Sequence, residues 1–127
     1  MKRLALVFSV LLLAPSAAAD VDPRPDNLKD CLREAGGVSM AVDFCLGDEA
    51  ERLEATLTAA YEKALSIAEE SQRGPLEQSQ KDFVAYRESW CSAKSDFLGS
   101  GRNEYRGQCM IRTTRERIEA LEGFDRP

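Results

Sequence analysis

Apolar residues recur at steps of three and four along most of this chain, the repeat of helices with one buried face. From Met40 to about Arg73, Leu46, Leu53, Leu57, Ala60, Tyr61, Ala64 and Ala68 follow that repeat. They predict one long helix, weakened or bent near Gly47. Gly74-Pro75 predicts its end, because glycine suits the left-handed position after a helix and proline suits the first turn of the next. Leu76 to about Phe97 predicts another helix. Its Leu76, Phe83, Trp90 and Phe97 stand seven apart, as expected of a core stripe facing a nearly antiparallel neighbour. A last helix runs from about Gln108 to Leu121, with Ile111, Thr114, Ile118 and Leu121 on one side. Ahead of all three, Asn27 to Ala35 predicts a short helix capped by Asp26 or Asn27 and ended by Gly36-Gly37, with Ser39 as the next N-cap. Gly99-Ser100-Gly101, with Asn103 and Gly107, reads as a glycine-rich loop. No segment alternates with period two for long, so no strand is expected. The pattern predicts an all-α fold: a small antiparallel bundle of one short and three longer helices, ordered over about residues 27–121.

The start of the chain has a different character. Lys2 and Arg3 precede a short apolar stretch from Leu4 to Ala14, and Ala17-Ala18-Ala19 offers small residues for cleavage before Asp20. This is the layout of an export signal over residues 1–19. The apolar run is shorter than the roughly 20 residues that span a bilayer, and no cysteine flanks the cut site to take a lipid. The expected product is a single domain of residues 20–127, periplasmic or secreted, with no membrane anchor after cleavage. Pro23 and Pro25 among acids predict an extended leader from Asp20 to Asp26.

Export changes the meaning of the four cysteines, Cys31, Cys45, Cys91 and Cys109. An even count in a short exported chain points to disulfides. Three pairings are possible. The pairing 31–45 with 91–109 is favoured because each pair straddles a predicted turn, Gly36-Gly37 or the glycine loop. A four-thiolate zinc site is the competing arrangement, but no two cysteines have the close spacing such sites use.

Charge and side-chain chemistry narrow the function. The chain carries 17 basic and 22 acidic side chains, for a net charge of −5. Removal of Lys2 and Arg3 with the signal leaves the product more acidic still. This acidic protein is not expected to bind nucleic acid or anionic lipid through its overall field. Histidine is absent, which removes the commonest general base and the usual serine triad. Gly99-Ser100-Gly101 lacks the Gly-Lys-Ser/Thr ending of a phosphate loop. The acids are interleaved with Lys and Arg on predicted helix surfaces, where solvated ion pairs account for them. No enzyme, cofactor or metal is therefore expected. Glu51, Glu62 and Glu69 fall close to one line on the long helix, with Glu54 beside them. That acidic ridge is a candidate strip for a basic partner.

Two segments carry a family resemblance. The first holds Gln80, Phe83, Tyr86-Arg87 and Cys91; the second holds Cys109, Thr114, Arg117 and Leu121. With Leu57 and Tyr61 upstream, they resemble the N-terminal domain of the lysozyme inhibitor LprI-like family. The match runs from about Cys31 to Leu121, with Thr58 where the family usually has Asn and Phe83 where it usually has Trp. The resemblance implies a non-enzymatic binding protein that occludes a lysozyme's cleft. Lysozymes are commonly cationic, and an acidic inhibitor would associate faster at low salt. The motif residues look architectural: Phe83, Tyr86 and Trp90 are expected between helices, and Arg87 and Arg117 against buried carbonyls or carboxylates. The candidate contact surfaces are the acidic ridge and the loop from Leu98 to Arg106, with Gly99, Ser100, Gly101, Arg102 and Asn103 at its centre. The alternatives are an envelope interaction module with another protein partner, and a cell-wall glycan hydrolase working through carboxylates. The oligomeric state is not readable from the chain.

Overall fold

The computed structural model describes residues 27–126. The export signal, the proline-bearing leader and the Asp26 cap lie outside the described residues. Four α-helices and one short 3₁₀ turn make up the fold: α1 Asn27–Ala35, α2 Ser39–Ile67, α3 Glu70–Ser95, the turn Gly99–Gly101 and α4 Arg102–Glu122. Among the described residues there is no strand.

α1 ends where the sequence places its end. Gly36 and Gly37 take φ of 57° and 79°, a region that side chains with a Cβ avoid. The chain reverses there, and α1 folds back on α2. Ser39 does not cap α2. It is the first helical residue, and Val38 holds the N-cap position with extended φ/ψ and no side-chain bond.

The break between α2 and α3 comes at Ala68-Glu69, not at Gly74-Pro75. Both residues are extended. Glu69 and Gln72 form a reciprocal capping box, in which the Glu69 N–H donates to Gln72 Oε1 at 2.9 Å. Arg73 reaches back to the Leu65 carbonyl at 3.0 Å and satisfies an open end of α2. Those bonds end one helix and begin the next within two residues. Gly74 and Pro75 then lie inside α3 on an exposed turn. There the hydrogen bond that proline cannot make leaves a carbonyl open to water.

α4 begins six residues earlier than the sequence suggests, so Asn103 and Gly107 are helical. Gly107 has a packing role: a Cβ built on it would sit 3.1 Å from Leu46 Cδ1. Its bare backbone lets α4 come close to α2. α4 runs parallel to α2 and antiparallel to α3, in an up-down-up arrangement. The core lies mostly between α2 and α4, from Val42, Leu46, Leu53, Leu57, Ala60 and Ala64 on one side and Ile111, Ile118 and Leu121 on the other.

α3 adds only Leu76 to that buried apolar cluster. Its inner face continues through half-buried Gln80 and Phe83 to buried Arg87, Cys91 and Ser95. The heptad stripe diverges from this line. A straight helix turns 3.6 residues per turn, so a strict seven-residue repeat rotates off the contact face. Trp90 is exposed as a result, and so is Tyr86, which stacks on Trp90 with ring centroids 6.1 Å apart; Phe97 lies past the end of α3, in the turn, and is exposed there. These three aromatics are not the inter-helix filling that the sequence suggests.

The cysteines pair as 31–45 and 91–109, with Cα–Cα distances of 5.8 and 5.6 Å. No thiol is left for a zinc site. One bridge ties α1 to α2, and the other ties α3 to α4.

A second cross-link is ionic. Glu49 is only 5% exposed, on the same face of α2 as Leu46 and Leu53. Arg52 grips its carboxylate with two bonds of 2.8 Å, and Arg115 of α4 adds one of 2.6 Å. The bonds from Arg52, and then from Arg115, hold the carboxyl below its ordinary pKa although burial pulls the other way.

Each disulfide closes a loop for which about 3 kcal/mol of stabilisation is expected. Full reduction should therefore lower the melting temperature by well over 10 °C on the scale of about 4–8 °C per kcal/mol. Cys91→Ser alone should produce much of that loss, and calorimetry with and without reductant measures both. The Glu49 contribution has the opposite pH signature to a histidine pair. Its folded pKa lies below the unfolded value of about 4.3. Its stabilisation is complete above that value and is lost as pH falls through the folded pKa. Glu49→Gln should cost roughly 1–3 kcal/mol near neutrality. The gap to the native protein in urea melts should close as the pH drops below about 4.

Candidate functional site

Most of the motif residues meet in one polar seam where α3 lies against α4 and reaches α2 through Arg87. Arg87 is 5% exposed. Its Nη1 donates to Glu54 Oε1 on α2 and, at 2.7 Å, to Thr114 Oγ1 on α4. Arg117 of α4 donates from Nε to Gln80 Oε1 at 3.0 Å and from Nη2 to Ser79 Oγ at 2.9 Å. Both guanidiniums approach the Phe83 ring, at 5.4 and 5.6 Å from its centroid, within cation–π range. Burial lowers the Arg117 pKa from its ordinary value, and Tyr61 works in the other direction; arginine's high starting value keeps it charged at neutral pH. Leu57 and Leu121 are buried beside this seam, and Tyr61 is half-buried. The arrangement joins helices and presents no free nucleophile.

The seam also takes over part of the expected acidic ridge. Glu54 faces Arg87 rather than a partner. Glu69 is not on α2 at all; it caps α3. Glu51 and Glu62 remain exposed on α2. Glu49 is a buried ion-pair partner that the charge pattern of the sequence does not single out. The signal was its place three residues after Leu46 and four before Leu53, within the buried stripe.

The expected loop is shorter and stiffer than its glycines suggest. Only Asp96 to Gly101 lies outside the helices, and Arg102 and Asn103 open α4. Gly99, with φ of 54°, begins the 3₁₀ turn that Ser100 and Gly101 complete. The Cys91–Cys109 bridge braces its base. Arg106 adds a tie from α4 to α3, through Glu88 Oε2 at 2.5 Å and Ser92 Oγ at 3.2 Å. On this tip Phe97 is 91% exposed and Leu98 is also exposed. An aromatic left in water on a braced turn is the feature that a core-stripe reading of Phe97 hides.

Among the described residues, no group of His, Cys, Asp and Glu side chains could hold a metal ion. The buried and half-buried acids nearest the seam are bound to arginines.

Arg87→Ala should cost about 1–3 kcal/mol, the scale of lost charged hydrogen bonds to Thr114 and to half-exposed Glu54. Arg87→Met should cost less, because the aliphatic stem still fills the gap. Urea melts of the two variants separate lost charge from lost volume.

The family described as lysozyme inhibitor LprI matches residues 31–121. That span opens at Cys31 and closes at Leu121, taking in both disulfides and the whole arginine seam. No curated protein and no solved structure matches the chain. The matched span is most of the sequence, and the chain belongs to the LprI lysozyme inhibitor family.

Proposed function

We propose that this chain is an exported, non-catalytic inhibitor that binds a lysozyme and blocks its cleft with the α3–α4 tip. Family membership supports the class of partner. The observation that carries the mode of action is Phe97, 91% exposed on a turn braced by a disulfide. A narrow, rigid projection loses little freedom on binding, and an aromatic at its end is a common energetic anchor. Binding pockets are concave and largely apolar, the complement of such a tip. The acidic net charge favours rapid encounter with a cationic enzyme.

Export to the periplasm or beyond rests on residues 1–19 and on the paired cysteines, which suit an oxidising compartment. Among the described residues no helix is long and apolar enough to cross a membrane. Action by binding, without chemistry, is supported by the absence of histidine from the sequence and by the capture of Glu49 and Glu54 in ion pairs.

Titration of the exported protein into a lysozyme lysis assay tests the proposal. Lysis should slow in a saturable way, with weaker inhibition at high salt. Phe97→Ser should raise the half-inhibitory concentration at least about tenfold, the scale of a lost anchor residue, and leave the melting temperature unchanged. Undiminished lysis at high molar excess would sink the proposal. Full potency of Phe97→Ser would sink the role of the tip.

A further inference from the structure

A second apolar cluster lies at the α1–α2 corner. Met40 is 83% exposed, Phe44 72% and Val38 62%. With Ala35, Ala41 and the Cys31–Cys45 bridge they line a shallow depression. Scattered single apolar residues on a surface need no explanation, but a contiguous group marks a contact site. The bridge holds this corner rigid, as the other bridge holds the tip.

The surroundings of the cluster are acidic. No lysine or arginine occurs between Arg33 and Arg52, whereas Glu34, Asp43, Asp48 and Glu51 are all there and all exposed. At about 100° per residue, Met40, Phe44, Asp48 and Glu51 share one face of α2, and Glu62 extends it. The surviving part of the acidic ridge and the apolar cluster are thus one continuous strip. An anionic lipid surface is repelled by such a rim. A second copy of the chain would set acid against acid, which costs several kcal/mol across an interface. A basic protein surface with an apolar side chain at its centre complements it in both respects.

The Met40–Phe44 corner and the tip belong to the same end of the molecule, and Glu51 and Glu62 run away from it along α2. Leu46 of α2 packs on Gly107 of α4, and the two helices run parallel. At about 1.5 Å per residue, Met40 stands roughly 9 Å beyond Leu46, and Gly101 stands roughly 9 Å beyond Gly107. The tip and the corner therefore rise to similar heights above one shared contact.

We infer that the Met40–Phe44 corner with its acidic rim is a second contact point for the same lysozyme, gripping its cationic surface while the tip enters the cleft. This rests on the inhibitor reading above. Two rigid points on one body raise affinity without further ordering. The rim contributes mainly to the rate of encounter.

Binding of the full exported protein to purified lysozyme, followed by surface plasmon resonance, tests the inference with two variants of exposed residues. Met40→Ser/Phe44→Ser should weaken binding at least about tenfold, chiefly through faster dissociation. Asp48→Lys/Glu51→Lys should slow association several-fold and flatten its salt dependence. Unchanged melting temperatures confirm that both variants fold. If the native protein binds and inhibits while both variants match it, the second contact is overturned and the inhibitor reading stands. If the native protein neither binds nor inhibits, the inhibitor reading fails and the second contact fails with it.

Discussion

α3 is held to the rest of the bundle by a disulfide and two arginines in place of an apolar stripe. Leu76 alone joins the buried hydrophobic cluster from this helix. Further along, the inner face offers an amide, a ring between two guanidiniums, a buried cation, a half-cystine and a serine. Such a face supplies little hydrophobic driving force. The position of α3 depends instead on directed bonds: Arg87 to Thr114 and Glu54, Arg117 to Gln80 and Ser79, and Cys91 to Cys109. Directed bonds fix angle and register more tightly than area burial does, because the hydrophobic effect has no preferred direction. Of the residues that carry the family resemblance, Tyr86 is exposed and the rest lie at this joint or in the core beside it.

The same joint determines where the molecule can make contacts. With most of the motif residues committed to the seam or the core, the most exposed apolar groups lie at one end, Phe97 on the tip and Met40, Phe44 and Val38 on the corner. Each sits beside a disulfide. A short chain with a modest core has few ways to keep a surface aromatic in a fixed position, and covalent bracing is the one used twice here. Charge is distributed to match. Basic side chains are drawn into the bundle at Arg87 and Arg117, and the exposed face of the first half of α2 is left acidic.

Much of the architecture was legible in the sequence. The Leu46-to-Ala64 repeat, the Gly36-Gly37 reversal and the pairing across two turns all appear in the structure. The helix boundary at Ala68-Glu69 was not legible, because glutamate is an unusual N-cap and its reciprocal bond with Gln72 exists only once the turn is formed. Gly74-Pro75 looked like a stronger stop and yielded to that bond. The exposure of Trp90 and Phe97 is hidden for a different reason. Hydrophobicity suggests burial, but the buried line on α3 is polar and advances by fours, through Arg87, Cys91 and Ser95. A buried arginine seam carries no apolar periodicity for a pattern to reveal. The ridge on α2 lost Glu69 to that local cap and Glu54 to Arg87, a partner 33 residues away in sequence.

Both sulfur bridges lie toward the end of the bundle where Leu46 meets Gly107, and the opposite end has neither. There Leu76, Leu121 and half-buried Phe124 pack the closing turns, and hydrogen bonds from Arg73 and between Glu69 and Gln72 join them, without a covalent tie. Stiffness is therefore graded along the long axis. Heat or denaturant would fray the molecule first where α2 passes into α3, well away from Phe44 and Phe97. The recognition surface would be the last region to lose its shape, so partial melting and loss of grip need not coincide.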